Sequence, residues 1–96
     1  MNLTEQIAAA KRLQDIWQFF FADLNLPAQP DKRQYLTWLS LYGEKATEQG
    51  LQRANIWVNK NPNRRYCLDD VVRYASACAR NFKEEAANVE TRTAAE

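Results

Sequence analysis

A chain of 96 residues, 46% hydrophobic and 26% charged with a net charge of +1, has the makings of one folded domain with one modest core, and its composition excludes a disordered or collagen-like polymer. It contains no His, and its two Cys stand at 67 and 78 without a Cys-x-x-Cys pair, which excludes the usual zinc sites and every His-based acid, base or triad mechanism. No catalytic residue, metal site or cofactor is expected, and the chain reads as a non-enzyme.

The two Gly and three Pro fall where helices start and stop, so the expected fold is all-α: a single compact domain, a small orthogonal bundle of four main helices over residues 1–90, followed by a frayed polar tail at 91–96. The first helix begins near Asn2 or Thr4 and carries Leu3, Ile7, Ala10, Leu13, Trp17, Phe20, Phe21 and Leu24 at steps of three and four, the period of an amphipathic helix. Residues 25–30 form a connector with two prolines. Asp31, with Gln34 three residues on, is suited to cap a second helix bearing Tyr35, Leu36, Trp38, Leu39 and Tyr42. Gly43 stops it, because glycine accepts the positive φ wanted just past a helix end.

A third helix starts at Glu44, with Leu51, Ala54 and Val58 on its inner face and Gly50 small enough to let another helix come close. The turn residues 59–63 end it. The fourth opens near Asp69 and Asp70, carboxylates that suit the positive end of the helix dipole, and is expected to bury Leu68, Val71, Val72, Ala75, Cys78, Ala79, Phe82 and Ala86. The two thiols, eleven residues apart on this helix and its entry, are separated by about 16 Å and do not bridge. Reduced thiols suit a cytoplasmic protein. The N-terminus has no basic leader and the longest apolar run is Phe19 to Ala22, too short for a signal core or a membrane span, so neither secretion nor a membrane is expected.

Charge is unevenly placed. Residues 1–50 hold five Lys/Arg against six Asp/Glu (−1), residues 51–83 seven against two (+5), and residues 84–96 one against four (−3). In the basic third, Arg73 and Arg80 stand two helical turns apart and share an outward face with Ser76 and Ala77, with Lys83 beside them and Lys60, Arg64 and Arg65 leading in. Such a surface attracts phosphates. A solvated helix face gives the same pattern.

Between these cations run Tyr74, Cys78 and Phe82, four apart, in "YASACARNF". Together with "IWQFFFADLNLP", "YLTWLSLYGEKA" and "EQGLQRANIWVNKN", this stretch resembles the C-terminal domain of DnaD-type primosomal proteins, over residues 16–87. That family carries Tyr-x-x-x-Ile-x-x-x-Trp in its last helix; Tyr74 matches the Tyr, while Cys78 stands for the Ile and Phe82 for the Trp. The resemblance implies a helical module that assists replication in Gram-positive bacteria or phages and touches DNA through its last helix and tail. Ninety-six residues leave no room for the winged-helix domain that accompanies this module in the family.

The leading expectation is therefore a small accessory protein of phage or mobile-element replication that binds DNA non-specifically. The alternative is a helical adaptor or inhibitor that binds a host protein complex, such as a phage anti-defence protein. Phe19, Ile56 and Trp57, at the edge of or off the main stripes, would be its interface anchors or contacts with a second copy of the chain.

Overall fold

Asn2 opens the chain's first helix, α1 (Leu3–Phe21), with a reciprocal cap: its side chain accepts from the Glu5 amide at 2.8 Å, and the Glu5 carboxylate accepts from the Asn2 amide. The computed structural model describes residues 2–22 and 29–95, with side chains through Asn88. Leu24 and most of the 25–30 connector lie outside the described residues. The other helices are α2 (Lys32–Tyr42), α3 (Glu44–Lys60) and α4 (Leu68–Ala95), and no strand occurs among the described residues. The fold is the small all-α bundle expected.

Asp31 caps α2 by accepting from the Gln34 amide at 2.9 Å. Gly43, at φ 85°, is at once the end of α2 and the start of α3. Its N–H reaches back to the Leu39 carbonyl, and its own carbonyl accepts from the buried Thr47 hydroxyl at 2.7 Å. One residue with an allowed positive φ thus joins two helices without a loop.

The centre is built from Leu13, Trp17 and Phe21 of α1, Tyr35 and Trp38 of α2, Leu51, Ala54 and Val58 of α3, and Val71 and Ala75 of α4. Phe20, Leu39 and Val72, expected inside, are partly buried around it. The α3–α4 pair is the tightest. Small side chains make this so: Gly50 packs directly on the backbone of Ala75 and on Ala79, so the two helices approach closely. With a shortest dimension of 18 Å, the molecule has room for two layers of helices at the usual 8–10 Å spacing.

Three sequence expectations need correction. Leu3 and Ile7 are exposed (70% and 58%), not core. Ile7 stands at the side of α2, lining an open groove with Lys32, Tyr35 and Leu36, so the neighbouring helix is beside it without covering it. Phe82 is only half-buried at the edge of α3 and lies outside the central cluster, and Ala86 is exposed. α4 continues to Ala95.

Candidate nucleic-acid interface

The buried seam Val71, Ala75, Ala79 divides the surface of α4 into two flanks. On the flank toward α2, Arg73 and Arg80 are both exposed and, with Ser76 and Ala77, form one wall of a groove of about 320 Å³. Gln34, Thr37 and Tyr42 of α2 stand opposite. The floor is fixed by hydrogen bonds: the Trp38 indole N–H donates to Ser76 Oγ at 2.8 Å, and that hydroxyl donates to the Val72 carbonyl at 2.7 Å. Lys83 Nζ donates to the Leu41 carbonyl at 2.9 Å, which places its charge at the negative end of the α2 dipole. Lys83 therefore has a structural partner that Arg73 and Arg80 lack.

On the other flank, toward α3, stand the three positions of the Tyr74, Cys78, Phe82 motif. Tyr74 stacks on Trp57, with ring centres 4.2 Å apart and planes 8° from parallel. Burial raises the phenol pKa of Tyr74 above its ordinary value, and burial likewise raises the Cys78 thiol. Phe82 lies under the Arg53 guanidinium, 5.6 Å from the ring centre, and Arg53 also pairs with Glu85 at 3.2 Å. Arg53 escaped the sequence reading because only the antiparallel register of α3 on α4 brings it there.

Arg64 belongs to this second flank. Its guanidinium sits 5.0 Å from the Trp57 ring centre and 5.5 Å from that of Tyr66, whose hydroxyl donates to the Asn61 carbonyl at 3.1 Å. Between the flanks is Asp70. It accepts from the Cys67 thiol and amide, and with Arg64 and Arg73 adding a smaller pull, its pKa lies below the usual carboxylate range. Lys60 and Arg65 are exposed on and after the end of α3. The six cations are thus not gathered on one face: Arg73, Arg80 and Lys83 border α2, while Arg64 is turned onto the aromatic cluster. None of the six is in an ion pair among the described residues; the two pairs there use Arg12 with Glu44 and Arg53 with Glu85.

Of the three suspected interface residues, Phe19 is 83% exposed and Ile56 46% exposed, as expected of surface groups. Trp57 is instead partly buried in the middle of the Tyr66, Tyr74 and Arg64 cluster, so it is a packing residue and not a free anchor. Phe19 lines a second groove, of about 420 Å³, with Phe20, Asn55, Asn59, Arg64 and Tyr66 among its walls. Both thiols are free. Among the described residues no cluster of three His, Cys, Asp or Glu stands ready for a metal, and no helix is long and apolar enough to cross a membrane. Comparison of the chain with protein-family models, with curated proteins and with solved structures gives no significant match.

Proposed function

We propose that this chain is a small non-enzymatic protein that holds DNA by its phosphates, in the manner its resemblance to DnaD-type modules implies, as an accessory to phage or mobile-element replication. The observation that carries the reading is the pair Arg73 and Arg80: two exposed guanidinium groups, two turns apart on one groove, neither in ion-pair contact with a carboxylate among the described residues, with Asp70 exerting a weaker pull on Arg73. Charges left unpaired along a helix face suit a polyanion, where each contact releases bound counterions. Contact through phosphates fixes position without reading bases, so it is sequence-independent.

Fluorescence anisotropy of a labelled duplex across a salt series tests this. Wild type binds at low salt and releases steeply as salt rises. Replacing Arg73 and Arg80 by Ala keeps the fold, since both side chains point away from Val71, Ala75 and Ala79, and lowers the log–log salt slope by about two if each meets one phosphate. No binding at low salt, or an unchanged slope, removes the proposal. The exposure of Phe19 favours a second reading, an adaptor or inhibitor of a host protein complex. A stoichiometric protein partner that survives a high-salt wash supports that reading against the first.

A further inference from the structure

We propose that the groove between the end of α1 and the turn after α3 accepts one unstacked base of a single-stranded nucleic acid, with Arg64 holding the neighbouring phosphate. This rests on the nucleic-acid reading above and adds a strand preference to it, at a different place on the molecule.

Phe19 is the first support. It is the most exposed large apolar side chain among the described residues, at 83%, and its ring meets Phe20 edge to face at 5.7 Å. A ring presented to water contributes little to the fold and is a ready platform for a base, since every base has a face to stack. Tyr66 lines the same groove, itself steadied by its bond to Asn61 and its edge contact with Trp57 at 5.0 Å. The volume, about 420 Å³, is in the range of small-ligand pockets, roughly 300–1,000 Å³.

Polar groups are also in place. Asn59 donates its side-chain NH₂ to Asn55 Oδ1 at 3.4 Å, which leaves the Asn55 side-chain NH₂ and Asn59 Oδ1 to offer a donor beside an acceptor. Base edges display that same alternation. The Arg64 guanidinium carbon lies over both Trp57 and Tyr66, and no ion pair engages Arg64 among the described residues, so the group is placed beside the rings and still able to grip a phosphate.

The local charge favours an anion. Residues 59–66, the turn beside the groove, hold Lys60, Arg64 and Arg65 and no Asp or Glu, with Asp70 the carboxylate that interacts with Arg64. The bases of a duplex are stacked and paired inside it, so only a single strand can place one between Phe19 and Tyr66.

Anisotropy with a labelled oligothymidylate of about 20 nucleotides, beside a duplex of equal length, tests the proposal on the whole protein. Phe19→Ala is expected to weaken single-strand binding about tenfold, the scale of one lost base stack, with no change in salt slope because no charge is removed, and to leave duplex binding as it was. The variant folds, since the ring it loses is in water; circular dichroism confirms this. Wild-type binding to duplex with no Phe19→Ala effect on the single strand overturns the base site and leaves the phosphate-binding reading standing. Absence of wild-type binding to either form overturns both. If instead Phe19→Ala converts a dimer to a monomer in sedimentation while oligonucleotide binding is untouched, the groove is a protein contact and the proposal fails.

Discussion

Trp57 of α3 and Tyr74 of α4 lie face to face, 4.2 Å between ring centres and 8° from parallel. The pair closes the end of the α3–α4 interface nearest the turn and supports Arg64 from below. Large partly buried rings contribute both area and a ring–ring term. Trp57→Ala is expected to cost about 3 kcal/mol, and Phe82→Ala, which removes a ring half-buried at the edge, only about 1 kcal/mol. Urea unfolding of both variants checks the order; an equal or reversed cost would show that the centre of the interface lies nearer Phe82.

Gly50 gives a prediction whose sign opposes helix propensity. In the middle of an exposed helix, Gly→Ala gains about 1 kcal/mol. Here a Cβ would collide with the Ala75 carbonyl oxygen and stand 2.9 Å from the Ala79 Cβ, so the backbones must part. The expected net effect of Gly50→Ala is a loss of about 2 kcal/mol, the scale of overpacking. Thermal melting decides it, and a rise in Tm would mean that α3 and α4 are further apart than described.

Tyr35 carries a cost that can be removed. Its residue is 2% exposed, and its hydroxyl is buried with no hydrogen-bond partner. Burial alone pushes its pKa from 10.0 up to about 12. Tyr35→Phe is expected to raise stability by about 1 kcal/mol at neutral pH, because it removes an unsatisfied polar group with little change of shape. The pH dependence follows by linkage: the folded phenol keeps its proton more tightly than the unfolded one, so this contribution is whole below pH 10 and is lost as pH rises toward 12. The Phe variant loses that part of the alkaline decline, while Tyr74, also shifted upward by burial, retains its own. Urea midpoints at neutral and alkaline pH test both halves.

Features with one conformational use were legible from the sequence. Gly43 stops α2 because of its φ, Asp31 caps it, and Gly50 lets α4 come close, as those residue types and positions implied. The inner face of α3 and the Val71, Ala75, Ala79 seam follow from spacing alone. Periodicity names the apolar face of a helix but not whether a neighbour seals it, and Leu3 and Ile7 lie on that face yet stay exposed. The Trp57–Tyr74 stack depends on how two antiparallel helices slide against each other, and seventeen residues of separation carry no mark of that register. The side to which the turn sends Arg64 is set by the rings waiting there, so the six cations looked like one patch in the chain and occupy two flanks in the fold.

The length of α4 has a further consequence. At 28 residues it is a rod of about 42 Å, and charge alternates along it: Asp69 and Asp70 open it, Arg73, Arg80 and Lys83 follow, and then Glu84, Glu85 and Glu90. A protein with net charge of only +1 thus carries a basic band between two acidic stretches of one helix. A polyanion approaching such a helix would be drawn to the basic band and repelled at the acidic stretches, which would orient the encounter. At physiological salt the screening length is about 8 Å, shorter than the rod, so a partner at the basic band would sense the far carboxylates only weakly.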